Sequence, residues 1–304
     1  MPGLATAVFS KPARIGAVAR VTWTQLVRMK LFLVPAAFAV LVLALQFIPY
    51  QESIGIEFQG VAQLELLKDV ALGCMQVFGL VFSIAATALL IPRDAEDRIL
   101  YTILCKPVPR FDYLAGKLLG VWGLIILVVL FMDGMMVLLV QLREAGIAAD
   151  LTQALAERGY TAEEMAPYLD QVRAAGNDWN TQRGIAAMLM NFGVLTSLSL
   201  LISCFTSGSI VSIIFSLGAY IIGMFQGNLF NIIFGGQGLT PFMQHVEQAF
   251  AVFIPNFGIF TVADTAAAGT PLGMGLLGSL ALIACGYMLL HLLTAAWIFQ
   301  HKEF

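Results

Sequence analysis

The chain has 304 residues, of which 59% are hydrophobic and only 12% are charged, and its formal net charge is −3. Soluble domains carry about 25% charged residues, so this composition points away from a soluble globular protein and towards a membrane protein. The small net charge excludes little, because the distribution of Lys and Arg matters more than their sum in membrane proteins. We therefore expect an all-α polytopic fold that forms one unit over residues 1–304.

Six apolar runs are long enough to cross a bilayer, which takes about 20 residues. The predicted spans are 31–48, 70–91, 118–142, 184–203, 210–232 and 272–299. Residues 1–30 are basic, with roughly helical spacing of their apolar residues, and predict an amphipathic helix on the membrane surface. The alternative is that they form only the frayed start of the first span. The long apolar run that follows them argues against a cleavable signal peptide.

The segment 143–183 is a long polar insertion between the third and fourth spans. It predicts one or two short soluble helices. Thr161 and Glu164 have the spacing of a helix-capping box, and Gly159 and Gly176 are placed to end helices.

The segment 233–271 is apolar but is interrupted by three prolines and carries no Lys or Arg. Its apolar runs are too short to span, so we predict re-entrant or interfacial helices before the sixth span.

The distribution of basic residues predicts the orientation. Of the 16 Lys and Arg residues, 11 lie in the N-terminal tail, the segment 91–117 and the C-terminal tail, and 5 lie on the opposite side. Cytoplasmic loops carry the excess of positive charge, so both termini and the segment 92–117 are expected in the cytoplasm. The segments 143–183 and 233–271 then lie outside, and the expected location is a bacterial cytoplasmic (inner) membrane.

No sequence motif indicates catalysis on this chain. The string YLAGKLLG around Lys117 lacks the earlier Gly and the following Ser or Thr of a phosphate-binding loop. If ATP is used, another chain therefore binds it, together with its Mg²⁺. The three His residues are scattered and the four Cys have no CxxC spacing, so neither a metal site nor a bound cofactor is expected.

Three polar residues fall inside predicted spans. Asp133, Asn191 and Gln226 lie about 22, 18 and 24 Å from the cytoplasmic ends of their spans at a rise of 1.5 Å per residue. Polar groups at this depth indicate function by default, because leaving them in lipid costs several kcal/mol. We predict one polar layer in the outer half of the bilayer. The alternative is that Asp133 only fixes helix packing.

The segment 92–117 is the densest in charges of both signs. Acidic residues at its start favour a short helix. Its two prolines, Pro107 and Pro109, predict an extended exit, because a residue before proline avoids the helical conformation. We predict a rigid, charged elbow that docks a partner protein, and the alternative is an ordinary solvated loop. The predicted partner-contacting residues are Asp94, Glu96, Asp97, Arg98, Tyr101, Lys106, Pro107 and Arg110.

The string RDAEDRILYTILCKPVPRFDYLAGKLLG resembles the segment between the second and third spans of ABC-2 type transporter permeases. The matching features after the acidic cluster are Ile103-Leu104, Pro107-Val108-Pro109-Arg110 and Gly116-Lys117. A second string, FIPNFGIFTVAD, resembles the segment before the last span in permeases of the type that serves nitrous-oxide-reductase maturation. The resemblance covers nearly the whole chain, although the insertion 143–183 is longer than expected for the family.

The resemblance implies a mechanism. Two permease chains would pair, most simply as a homodimer, and a separate ATPase would bind the segment 92–117 as a coupling helix and drive export of an unidentified substrate. One alternative is a non-transporting membrane partner that passes ATP-driven motion to an extracytoplasmic protein through residues 143–183. Another is an ATP-independent carrier or channel. The bilayer is the remaining partner, and no nucleic-acid partner is expected.

Overall fold

The structure is a computed structural model, and it describes residues 11–28, 33–45, 56–96, 109–206, 208–233, 252–262 and 270–301. These residues form nine α-helices and one 3₁₀ turn, with no strand among them. The helices are α1 (Lys11–Arg28), α2 (Leu33–Leu45), α3 (Ile56–Ala88), α4 (Leu90–Glu96), α5 (Arg110–Glu157), α6 (Ala162–Ala175), α7 (Trp179–Phe205), α8 (Ser209–Ile233) and α9 (Met274–His301), and the 3₁₀ turn is Phe257–Phe260.

Five helical stretches within the described residues are long and apolar enough to cross a membrane. This confirms the prediction of an all-α polytopic membrane protein. The predicted first span, 31–48, is described only over α2, which has 13 residues. That length is below the roughly 20 residues that a perpendicular span requires, so the described part of the chain leaves the six-span count a prediction.

The helix α5 is much longer than the span predicted within it. It has 48 residues, which at 1.5 Å per residue correspond to about 72 Å, more than twice the roughly 30 Å hydrocarbon core. It begins directly after Pro109, whose φ of −57° and ψ of 139° are extended. Residues 110–117 are therefore the first two turns of α5 and not part of a loop, because no residue after Pro109 interrupts the helical pattern. Lys106 and Val108, the residues before the two prolines, lie outside the described residues.

The far end of α5 and the start of α6 follow the local sequence signals. Gly159 has a φ of +84°, a left-handed conformation that glycine adopts without steric cost, and it separates the two helices. The Glu164 carboxylate accepts hydrogen bonds from the Thr161 N–H at 2.8 Å and from its hydroxyl at 2.9 Å. This confirms the predicted capping box. Gly176 ends α6, also as predicted.

The helix α7 is the centre of the bundle. In the stretch Ala162–Phe205, which includes α7, 78% of the most apolar 18 residues are buried, whereas the corresponding shares in α8 and α9 are 33% and 22%. One core cluster packs α3, α5 and α6, a second packs α5, α7 and α9 around Tyr113, and a third packs α3, α7, α8 and α9 around Phe257. The large apolar surfaces of α8 and α9 therefore face outwards, where they suit lipid or another membrane chain.

Only part of the predicted re-entrant segment 233–271 is described. Within it, Phe257 and Phe260 are fully buried in the third core cluster. The carbonyl oxygen of Pro255 and the ring of Phe257 lie directly against Gly223 of α8. The described part is thus a 3₁₀ turn inserted against the bundle and does not span. The rest of the segment lies outside the described residues.

Candidate coupling site

Four polar side chains form a buried cluster where α1, α4 and α5 meet. The Asp94 carboxylate receives the Lys117 Nζ at 2.6 Å and the Tyr113 hydroxyl at 2.6 Å on Oδ2. It also receives the Gln25 amide at 2.9 Å on Oδ1, and Lys117 donates to the Gln25 Oε1 at 3.0 Å. Side chains of Asp94 and Lys117 are only 1% and 3% exposed. We call Gln25, Asp94, Tyr113 and Lys117 the coupling cluster.

The local sequence places each member of the coupling cluster. The helix α3 ends at Ala88 and the short α4 follows, which carries Asp94 towards α5. On α5, Tyr113 and Lys117 are four residues apart and therefore lie on one face. The nearby ring of Tyr113 also lies 5.6 Å from the Lys117 ammonium, within the range of a cation–π contact.

Helix α1 reaches the cluster because two glycines remove side chains from α5. A Cβ at Gly116 would lie 2.6 Å from the Val18 Cβ, and one at Gly120 would lie 2.8 Å from the Ala19 carbonyl oxygen. The spacing Gly-x-x-x-Gly is the pattern that lets two membrane helices pack backbone to backbone. Residues 11–28 thus form a helix within the predicted segment 1–30, and this helix packs along α5. Its position at the membrane surface stays a prediction.

A second layer of contacts surrounds the cluster. The Tyr113 ring stacks on Phe299 of α9, with centroids 5.9 Å apart. The Arg110 guanidinium donates to the carbonyl oxygens of Phe299 and Gln300, close to the C-terminal end of α9, where a positive charge is favourable. Asp112 accepts from Arg14 of α1 at 2.9 Å. The cluster and these contacts thus connect α1, α4 and α9 to the first three turns of α5.

The electrostatics of the cluster are nearly balanced. Both carboxylate oxygens of Asp94 accept hydrogen bonds, and the Lys117 ammonium has two oxygen partners. Burying two charges is costly unless they pair with good geometry, and removing one partner then leaves an uncompensated buried charge. Such a cluster can hold one arrangement of α1, α4 and α5 firmly.

The cluster also joins two residues near the opposite ends of the predicted coupling segment 92–117. Asp94 precedes residues 97–108 and Tyr113 follows them, and their side chains are joined by a 2.6 Å hydrogen bond. A displacement of residues 97–108 would therefore act on α4 and α5 at a single point. Residues 97–108 themselves lie outside the described part of the chain.

The predicted partner-contacting residues are distributed unevenly around this point. Asp94 is buried in the cluster, where its carboxylate faces Lys117. Arg110 is half-buried and holds the end of α9. The side chain of Glu96 is not described, and Asp97, Arg98, Tyr101, Lys106 and Pro107 lie outside the described residues. For all eight predicted positions the ATPase contact stays a prediction.

The predicted polar layer is not brought together around Asp133. That carboxylate accepts a hydrogen bond from Gln182 of α7 at 2.9 Å. Asn191 lies nine residues further along α7, a rise of about 13 Å. Asn191 and Gln226 are 1% and 5% exposed, and their side-chain oxygens have no hydrogen-bond partner among the described residues. No hydrogen bond in the described residues joins any two of the three.

Several residues of the site were not identified from the sequence. Gln25 gave no signal, because a glutamine on an amphipathic helix is ordinary. Lys117 did give a signal, because an ionisable residue beside a span needs a partner. His291 is a further case: its ring is fully buried and contacts the Ser197 hydroxyl at 2.9 Å and the Phe253 carbonyl oxygen at 3.0 Å. It links α7, α9 and the chain before the 3₁₀ turn.

The comparisons with known proteins fit this arrangement. A protein-family model described as ABC-2 family transporter protein matches residues 17–304. The match begins within α1 and includes all four residues of the coupling cluster. No curated protein sequence matches the chain.

Proposed function

The chain belongs to the ABC-2 transporter family, and from that premise we propose that it is the permease of an exporter driven by a separate ATPase chain. Membership in the family makes it the membrane part of an ABC transporter. The direction of transport, the ATPase partner, the pairing with a second copy and the location in an inner membrane belong to the proposal. The nitrous-oxide-reductase maturation subtype is a finer prediction within it.

The observation that carries the proposal is the closure of the segment 95–112 by the Asp94–Tyr113 contact. The two ends of this segment are joined by that contact. ATP binding on a partner that holds the segment would therefore move both ends in the same direction. The coupling cluster would then distribute the movement to α1, α4 and α5, and Arg110 would carry it to α9. A ligand shifts such an equilibrium only through contacts that differ between the two states, so the ATPase must grip the segment differently before and after ATP binding.

The test is the capture of an ATPase with the purified chain. We expect an ATPase to copurify in mild detergent, and we expect the double charge reversal Asp97→Lys with Arg98→Glu to abolish its capture. Reversing a complementary charge pair replaces attraction with repulsion at the contact, which costs several kcal/mol. The matched control is Asp170→Lys with Arg173→Glu, another charge reversal on the distant α6. Undiminished capture by the first variant would remove the coupling role from residues 97–98.

A second function is favoured by the extension of α5 and α6. Residues 143–157 continue α5 about 22 Å beyond the predicted span at 1.5 Å per residue. The apolar side chains of Ile147, Leu151 and Val172 join this extension to the main core cluster. A rigid arm of this kind suits the transmission of ATP-driven motion to an extracytoplasmic protein. In this second proposal the arm, and not a substrate path, is the output.

The two functions can be separated on the exposed face of the arm. Asp170 and Gln171 are exposed on α6, so Asp170→Lys with Gln171→Lys should leave the fold intact. If the arm drives a partner, we expect loss of the cellular function with capture of the ATPase unchanged. Full cellular function in this variant would favour transport through the membrane helices instead.

A further inference from the structure

An apolar groove opens between α1, α2 and α5. Its volume is about 550 Å³, and its walls include Trp23 and Val27 of α1, Pro35 of α2, and Leu127 and Phe131 of α5. No charged side chain lines it. A volume of this size falls within the roughly 300–1,000 Å³ of small-molecule sites.

The groove runs along a large part of one leaflet of a bilayer. Helices α1 and α5 run side by side in the same direction, because Gly116 lies against Val18 and Gly120 lies against Thr22. The α5 residues that line the groove, from Leu124 to Phe131, rise about 10 Å at 1.5 Å per residue. One leaflet is half of a roughly 30 Å hydrocarbon core, so the groove covers about two thirds of its depth. An acyl chain of the leaflet on the α1 side can therefore follow the groove along its length.

A cation lies just beyond one end of the groove. Arg20, Trp23 and Val27 are spaced i, i+3 and i+7 and lie on one side of α1. Arg20 is exposed and has no ion pair among the described residues. Because α1 and α5 run in parallel, Arg20 lies at the level of Gly120, about one turn before Leu124, the first α5 residue that lines the groove. The order along α1 is a cation without an ion pair in the described part of the chain, an aromatic ring suited to the membrane–water interface, and an apolar wall.

We propose that this groove binds one anionic phospholipid, with an acyl chain between α1, α2 and α5 and the phosphate at Arg20. The chemical order of the groove is that of a phospholipid: charge, interface, hydrocarbon. A second copy of this chain would cover the apolar wall but would leave Arg20 to find an acidic partner. The proposal does not depend on what the protein transports.

The first test compares two lipids with the same acyl chains on the purified protein. We expect phosphatidylglycerol to bind at least about five-fold more tightly than phosphatidylcholine in native mass spectrometry, as one Arg near an anionic lipid implies. Arg20→Gln should remove this preference. Lys11→Gln, which neutralises an exposed cation at the start of the same helix, should retain it. Equal binding of the two lipids to the unaltered protein, or a preference that survives in Arg20→Gln, would overturn the proposal.

The second test fills the groove. Leu127 and Leu138 lie on α5 and are 53% and 50% exposed, but only Leu127 lines the groove. We expect Leu127→Trp to weaken the binding of both lipids and Leu138→Trp to leave it unchanged. Three results contradict the proposal: unaltered lipid binding in Leu127→Trp, equal stabilisation by inorganic phosphate alone, and conversion of a dimer to a monomer by Leu127→Trp with lipid binding intact.

Discussion

Replacing Asp94 by asparagine is expected to lower the free energy of unfolding by about 3–5 kcal/mol, since it leaves the Lys117 ammonium buried without a counter-charge. The pair is 2.6 Å apart and almost fully buried, so solvent cannot compensate for the loss. The matched control is Asp170→Asn. It breaks an ion pair with Arg173 in which both side chains are at least 70% exposed, and such pairs contribute about 0–1 kcal/mol. Thermal unfolding in detergent measures the loss of stability in Asp94→Asn and in Asp170→Asn.

The double variant Asp94→Leu with Lys117→Met separates stability from coupling. Replacing both members of a buried ion pair by apolar residues is often neutral, so the double variant should unfold at a higher temperature than Asp94→Asn. We expect it to fold and to capture the ATPase, but to respond weakly to ATP, because α4 and α5 are no longer joined by charge. The single variants Asp94→Leu and Lys117→Met complete the comparison. If their losses of stability add up to the loss in the double variant, the two charges do not act as a pair.

The second large effect is expected at the glycines between α1 and α5. In Gly120→Ala the new methyl group would lie 2.8 Å from the Ala19 carbonyl oxygen, and a backbone atom cannot rotate away. We expect α1 to separate from α5 and the free energy of unfolding to fall by about 1–3 kcal/mol, the usual cost of overpacking. Gly116→Ala should behave in the same way, because its Cβ would lie 2.9 Å from the Ile15 carbonyl oxygen.

Gly134→Ala is the control on the same helix. No atom lies within 4 Å of a Cβ at that position, so the variant should be neutral or stabilised by up to about 1 kcal/mol through helix propensity. Separation of α1 can be followed with Thr22→Cys, because Thr22 is fully buried against α5 in the intact protein. Thiol labelling at this position should increase in Gly120→Ala and stay low in Gly134→Ala. Equal labelling in the two would show that close packing at Gly120 does not hold α1.

The two predictions concern one mechanical unit. Gln25 of α1 donates to Asp94 and accepts from Lys117, so displacement of α1 at Gly120 would also disturb the ion pair. Loss of the pair would in turn remove a polar anchor of α1. We therefore expect Gly120→Ala to impair the response to ATP more than its loss of stability alone would explain. The ATPase activity of the complex checks this. It is compared between Gly120→Ala and Gly134→Ala at a temperature where both variants are folded.

Local signals explain what could be predicted. The capping box at Thr161 and Glu164 and the stops at Gly159 and Gly176 depend on neighbours within a few residues, and the structure reproduces them. The limits of α5 could not be predicted in the same way. Hydrophobicity marks where lipid ends, but a helix continues for as long as its backbone is unbroken and its face is packed. Ile147 and Val172 supply that packing outside the predicted span.

The sequence by itself determined that this chain is a helical membrane protein of the ABC-2 transporter family, because apolar length, charge distribution and the motif from Asp94 to Lys117 are properties of consecutive residues. Only the tertiary structure decided that Asp94 faces inwards. Its partners, Gln25 and Lys117, are 69 and 23 residues away along the chain, and the contacts exist because two glycines bring α1 onto α5. A carboxylate in a charged segment is normally solvated, whereas the Asp94 carboxylate is buried because it pairs with the buried Lys117 ammonium.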